Sequence, residues 1–460
     1  SFLHFCIQSL IHVEMSKLNR CPCCPDTKHP KGYNFEPTPG LTEEESTFND
    51  AKHMDLGYPD TIKKLDTDMQ NRPEMVEQLA TNYGCCSSFK VLSDEGVRVL
   101  TKVLAGVEKH SVTTPRIPKV LRGSTFYSKF LHGMAHSEAI LRHVSDLAGC
   151  EMIHHPIRTH HLHVNFKPKS TGGEPKNIDR WHCDTTPFVL VLFATDPDEY
   201  EGGRLEYYNG AREEATAYFK KGEPLPSEKV LNVGRQHQGY GVLLQGWRVF
   251  HQVTPVLRGD NRTTLVYSFH PRNVLGLEAC ASLLKTYNQT DPLHVIVPEW
   301  SRFRAWKVLR RFEIMKEKLA DLLQASSVFV PLLDAVEKSS KKLCKIIQTL
   351  PYVFDRQLIA IVMRDAISDV RACLGNILCR NVVDEPSSKR ARLANTPTVV
   401  DSEFSTQVII SDIDKAIFGN DEFNSSPYGL VNVKGAILEI DNCIDDVLSM
   451  NEGTSDMEFF

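Results

Sequence analysis

Four residues stand out for what they can do chemically: His182, Asp184, His251 and Arg262. His182 and Asp184 are one residue apart in Trp181-His182-Cys183-Asp184; His251 follows 67 positions after the aspartate, and Arg262 eleven after that. Two imidazoles and one carboxylate can hold one face of an octahedral Fe(II) and leave three positions open. A planar, permanently charged guanidinium at a set distance beyond the second histidine offers a fork for a carboxylate. Such a set suits an oxygenase that consumes a keto acid to activate O₂.

The elements that must position these residues are strands. On a strand, residues i and i+2 face the same way. His182 and Asp184 therefore reach one ion from one strand end, while Cys183 points opposite. His251 has to arrive from a distant strand, and Val249-Phe250-His251-Gln252-Val253 has strand character. Strands dominate from His160 to Pro271. His161 to Phe166 alternates with period two. Phe188 to Ala194 is a continuous apolar run, expected as a strand buried on both faces. Gly202-Gly203 is a turn before Leu205-Glu206-Tyr207-Tyr208, and Gly246 marks a tight turn before His251. Gly239 to Leu244, Val249 to Val256 and Thr263 to Phe269 complete the series, with Arg262 and Thr264 on one face of the last. Many short strands between Gly and Pro turns predict a sandwich or jelly roll. Residues Ala211 to Asn232 interrupt them as a more polar excursion, helical early and Pro-rich late.

Helices precede the strands. Ser93-Asp94-Glu95 is an N-cap signal before Val97, Leu100, Val103, Leu104 and Val107. Ile140, Leu141, Val144 and Leu147 form a second stripe. Both are expected to pack outside a sheet. Residues 1–88, polar and rich in Pro and Gly over Pro25 to Asp60, are expected as a poorly ordered extension. The strand-rich domain spans 89–298, and a helical region spans 299–385, its first helix surface-packed around Trp306, Leu309 and Phe312. A linker and acidic tail fill 386–460. The fold class is α+β: a jelly-roll core flanked by N-terminal helices, with a mainly helical C-terminal region.

The motifs from Arg180 to Phe269 resemble the 2-oxoglutarate- and Fe(II)-dependent oxygenase superfamily, in the style of its prolyl-hydroxylase-like branch. They read His182-Cys183-Asp184, Gly202-Gly203-Arg204-Leu205, Gly246 to His251, Val253, Pro255-Val256, Gly259 and Arg262. The resemblance implies a double-stranded β-helix in which His182, Asp184 and His251 bind Fe(II). It implies that Arg262, helped by Thr264, pairs with the distal carboxylate of 2-oxoglutarate, the cosubstrate, which is converted with O₂ to succinate and CO₂ while a prime substrate is hydroxylated or desaturated. Ascorbate is the reductant such enzymes can draw on. Halogenating relatives lack the carboxylate ligand, so Asp184 favours oxygen over halide delivery. An arginine at this position also argues against the demethylase-like branch. The superfamily often sets a polar residue of an earlier strand against the cosubstrate, and His161, His163 and Asn165 all qualify.

Two other readings compete. One is a jelly-roll binding protein without turnover. The other is a cupin-like metalloenzyme that uses His161 and His163 and no keto acid, against which the spacing of Arg262 argues. Bulk properties set further bounds. The chain has 460 residues and a net charge of -5, so nothing global favours nucleic acid or an anionic membrane. Thirteen scattered cysteines fit a reducing compartment, cytoplasmic or nuclear. Three weaker signals remain. Cys21-Pro22-Cys23-Cys24 with His29 lacks a second pair for zinc. Lys389-Arg390-Ala391-Arg392 has the form of a nuclear address but also of an ordinary solvated linker. The basic helix from Arg302 to Lys318 suits an acidic partner or, more ordinarily, packing against the protein's own core. The prime substrate and the oligomeric state are not readable from the residues.

Overall fold

The computed structural model describes residues 35–373 apart from 115–116, 118, 167–176, 235, 260–261, 275, 277–290, 324–329, 350–360, 362–363 and 371. The chain divides into two compact units, the first running to Glu299 and the second starting at Trp300.

Order begins earlier in the chain than its composition suggests. The segment expected to be a poorly ordered extension carries α1 (Asp50–His53), β1 (Ile62–Lys64), α2 (Pro73–Val76) and β2 (Tyr83–Cys86). Every residue of β2 is buried. Its pairing with a strand some 160 residues later, Leu244 opposite Cys85, is what completes it. Only scattered apolar residues of this segment, among them Leu65, Met69 and Tyr83, reach the core. Order that depends on distant partners leaves no local periodicity to read.

β3 (Phe89–Lys90) leads into α3 (Asp94–Val107). The cap is the expected one: Ser93 Oγ accepts from the Gly96 amide at 3.0 Å. Leu100, Val103, Leu104 and Val107 are buried. Gly96 is fixed by a close approach, since a Cβ there would stand 2.1 Å from the carbonyl oxygen of His53. Gly96→Ala is therefore expected to destabilise the first unit by about 1–3 kcal/mol, the usual cost of overpacking. Urea unfolding measures it, and an unchanged midpoint would contradict the contact.

After β4 (Val120–Leu121) come α4 (Lys129–Ala135), which the pattern did not disclose, and α5 (Glu138–Ala148). Ser137 caps α5, and Gly149, at φ 67°, ends it. The strands follow: β5 (Met152–His154), β6 (Leu162–Phe166), β7 (Asp179–His182), β8 (Phe188–Phe193), β9 (Glu201–Gly202) and β10 (Leu205–Tyr208). The polar excursion is α6 (Arg212–Lys221), then β11 (Val230–Asn232). β12 (Tyr240–Leu244), β13 (His251–Val253), β14 (Val256–Arg258) and β15 (Thr263–Pro271) close the series.

These strands form two principal antiparallel sheets. The larger has the order β1-β2-β12-β8-β15-β6-β4, with β3 beside β12 and β5 beside β15; the smaller is β11-β10-β13-β7. A short pair, β14-β9, stands apart. All six residues of β8 are buried, as its unbroken apolar run required, because β12 and β15 flank it. The helices α3 and α5 share one apolar core with β8, β12 and β15.

The inner face of the large sheet follows from the register. Leu244 lies opposite Cys85 and Val189, Val191 opposite Val266, and Thr264 opposite Asn165. Cys85 shares one apolar core with Tyr207 of the small sheet. This face, which carries Thr264, Asn165 and His163, thus looks toward β10 and β13.

The second unit contains most of α7 (Leu293–Leu323) and all of α8 (Val330–Thr349). From residue 295 to 309 every residue is buried, Arg302, Arg304 and Lys307 included. Where a surface-packed helix was expected, this stretch is buried all round, and these three cations are not presented to an acidic partner. Among the described residues no helix is long and apolar enough to cross a membrane. The Cys21 cluster, the basic run at Lys389 and the acidic tail lie outside the described residues.

Candidate metal centre

β7 and β13 are neighbours in the small sheet, with His182 directly opposite His251. That register brings the two imidazoles together, tilted at 56° with ring centroids 4.2 Å apart. The chain leaves β7 after His182, and Asp184 turns back onto the pair. Its Oδ1 lies 3.3 Å from His182 Nε2 and its Oδ2 3.6 Å from His251 Nε2. One ligand atom from each residue lies within 4.8 Å of the others, and among the described residues this is the group of three that can hold a metal ion. The three expected ligands therefore meet.

Their orientation has a local cause. His182 Nδ1 lies 2.6 Å from the carbonyl oxygen of Arg180, and His251 Nδ1 2.8 Å from that of Val249. A carbonyl only accepts, so each Nδ1 carries the proton and each Nε2 turns a lone pair toward Asp184. Second partners of this kind fix the tautomer of metal-ligating histidines. Burial, reinforced by His182, pushes His251 down to about 4, so it is neutral and able to ligate at ordinary pH.

Gly246 does more than turn the chain. Its carbonyl accepts from the Asp184 amide at 2.8 Å, and a Cβ on it would sit 2.2 Å from Asp184 Oδ2. Gly246→Ala is expected to displace the carboxylate and weaken Co(II) binding by roughly 10–100-fold, the usual effect of disturbing the support of a metal ligand. Calorimetric titration reads this; equal affinity would show the carboxylate free to move.

Arg262 immediately precedes β15 and is 2% exposed. Its Nε donates to the carbonyl of Gly203 at 2.9 Å, and its side chain lies over that glycine. A Cβ on Gly203, at φ 59°, would stand 2.8 Å from Arg262 Cδ. The second glycine of the Gly-Gly turn is thus the seat of the arginine. Arg262 Nη2 is buried with no hydrogen-bond partner among the described residues. Burial pushes its guanidinium down to about 10, still charged at neutral pH. A buried cation with an unpaired donor is costly unless an anion meets it, so the residue fits a ligand carboxylate. Thr264, two residues on, is buried and shares the inner face.

The candidates on the earlier strand separate. His163 and Asn165 lie on the inner face, and His163 Nδ1 and Asn165 Oδ1 are buried without a hydrogen-bond partner among the described residues. Burial pushes the His163 imidazole well below its usual range. His161 instead packs edge-on against His136, with centroids 5.1 Å apart. His161 and His163 do not join the metal-holding group.

Cys183, just beyond the end of β7, turns to the other side from the ligands, and burial pushes its thiol up to about 12. It packs with Trp181, Tyr208 and Phe250 on the outer side of the small sheet. Trp181 stacks on Phe250 at 5.5 Å and 5°, and Phe219 of α6 meets Phe250 edge-on at 5.2 Å. Each histidine ligand is thus backed by an aromatic neighbour on the opposite face, and Trp181 is a packing residue.

Residues 94–285 match the family model described as Halogenase D. No curated protein matches. Among solved structures, the chain is similar to SnoN, a non-heme alpha ketoglutarate dependent epimerase from nogalamycin biosynthesis. They share 15% identity over 44% of this chain and 84% of that one, with a TM-score of 0.32. A prolyl-4-hydroxylase of Pseudomonas putida is 16% identical over 44% of this chain and 98% of its own, at a TM-score of 0.30. HygX of Streptomyces hygroscopicus, solved with nickel, 2-oxoglutarate and hygromycin B, is 16% identical over 44% and 88%, at 0.29.

Proposed function

We propose that the first unit is an Fe(II)- and 2-oxoglutarate-dependent dioxygenase on a jelly-roll pair of sheets, acting on an organic or protein substrate. The observation that carries this reading is a pairing of two features. His182, Asp184 and His251 bring their ligand atoms together, and the same unit buries a charged Arg262 whose Nη2 lacks a partner among the described residues.

Bound there, ferrous iron and the keto acid would supply the oxidising power, with release of succinate and CO₂. The residues of the chain do the rest. Two imidazoles and one carboxylate would hold the metal, with Asp184 bringing one negative charge. Arg262, anchored through Nε on Gly203, keeps its outer nitrogen for the distal carboxylate, and Thr264, buried two residues on, is the candidate to help it. Apolar residues of the inner face, Val189, Val191 and Val266, exclude water. His163 and Asn165 offer to the cosubstrate or substrate polar atoms on that face that have no partner among the described residues.

Asp184 also bears on the outcome of the reaction. A carboxylate at the third ligand position leaves none for halide, which favours hydroxylation or desaturation although the matching family model bears a halogenase description. The test is incubation with ferrous iron, ascorbate, 2-oxoglutarate and extract, following succinate and the masses of new products. Succinate together with a product heavier by one oxygen, or lighter by two hydrogens, is expected. A halogen isotope pattern would overturn the oxygen assignment. Absence of metal and 2-oxoglutarate binding would overturn the whole reading and favour a binding protein.

A further inference from the structure

The turn between β12 and β13, residues 245–249, touches both halves of the metal centre. Its Gly246 carbonyl holds the Asp184 amide, and its Val249 carbonyl sets the proton on His251. The turn closes on itself through the Arg248 and Val249 amides, which donate to the Gln245 carbonyl at 2.8 and 2.9 Å. A segment that governs two ligands has to be immobile, and what immobilises it lies outside the ligand set.

The anchors converge on Arg248, whose side chain is only 5% exposed. Its Nη1 and Nη2 donate to the two carboxylate oxygens of Glu213 on α6, each at 2.9 Å, and Nη2 also donates to Asn71 Oδ1 at 2.9 Å. Asn71 is itself held, its Nδ2 donating to the Leu65 carbonyl at 2.9 Å. Arg212, also on α6, donates to the Trp247 carbonyl at 3.0 Å. The guanidinium carbons of Arg212 and Arg248 lie 5.9 and 5.5 Å from the centre of the Trp247 ring. A bidentate guanidinium–carboxylate pair fixes direction as well as distance, and here it couples α6 to the turn.

We propose that Arg248 is a positioning residue of the metal centre, and that Glu213 of the α6 insertion, with Asn71, clamps it so that Asp184 and His251 keep ligand geometry. This rests on the metal assignment above. The position of α6 between β10 and β11 then has a mechanical meaning: it buttresses the iron-bearing strands from behind, through Phe219 on Phe250 and through the clamp on the turn.

The experiment compares the full chain with Glu213→Gln, Arg248→Lys and a control, Glu214→Gln. Glu214 also sits on α6 in an ion pair, with Lys229 at 2.8 Å, but that pair does not reach the turn. Co(II) affinity, the visible absorption of bound Co(II) and the apo melting temperature are read for each. Glu213→Gln should weaken Co(II) binding by about 10-fold and shift the visible bands, the size expected for losing an outer partner of a ligand. Arg248→Lys should not restore them, because an ammonium cannot make the fork. Glu214→Gln should leave both readings at the level of the unmodified chain. Equal losses in Glu213→Gln and Glu214→Gln, or unchanged affinity and bands in Glu213→Gln, would overturn the clamp. Failure of the unmodified chain to bind Co(II) would overturn the centre itself, and the clamp with it.

Discussion

Asp184→Ala is expected to reduce succinate formation to background while the protein stays folded. The carboxylate is the negative member of the set and the one that bridges the two imidazoles, 3.3 Å from one and 3.6 Å from the other. Removing it leaves two neutral ligands, whose hold on a divalent ion is far weaker. The loss should exceed the roughly 10–100-fold that follows from disturbing an outer partner. The fold should survive because the backbone bond from the Asp184 amide to the Gly246 carbonyl does not involve the side chain. Removing a carboxylate that is 20% exposed also leaves no large cavity. His182→Ala should behave alike for the metal. Metal titration, a succinate assay and the melting temperature check this together, and full turnover by either variant would refute the ligand assignment.

The centre was legible in the sequence because its parts are short-range or motif-bound. A strand period of two predicts His182 and Asp184 on one side; they do meet, although β7 ends at His182 and Asp184 comes back onto the pair from the chain beyond it. Gly202-Gly203 and Gly246 were visible as turns. What their positions serve was not visible, because it depends on atoms from elsewhere: Arg262 lies over Gly203, and Asp184 Oδ2 faces Gly246. The same limit explains Arg248, Glu213 and Asn71, which meet from three separate stretches and have no shared pattern. It also explains β2, which pairs with a strand far along the chain, and the enclosed stretch of α7, whose cations read as surface residues. α3 and α5, by contrast, announce themselves locally through a cap and an apolar stripe, and both end within a residue or two of the expected limits.

The last expectation separates the cost of Arg262 from its use. Without its ligand the protein carries a buried guanidinium with one nitrogen unpaired among the described residues. Such a group is tolerated at the expense of stability. Arg262→Met keeps the length of the side chain and removes the charge, so the apo protein should be at least as stable as the unmodified one. It loses only the bond from Nε to the Gly203 carbonyl. Binding of 2-oxoglutarate should fall much further. Losing one partner of a buried, hydrogen-bonded charge pair costs about 2–5 kcal/mol, or roughly 30-fold to several thousand-fold in Kd. Saturating ligand at about 100 times Kd stabilises a folded protein by about 2.7 kcal/mol. The unmodified chain should therefore melt higher with metal and 2-oxoglutarate, and Arg262→Met should show almost no such gain at the same concentration. A purely structural arginine predicts the reverse: a lower apo melting temperature and an unchanged ligand-induced rise. The two melting curves of this one variant thus decide whether Arg262 holds the fold together or waits for a carboxylate.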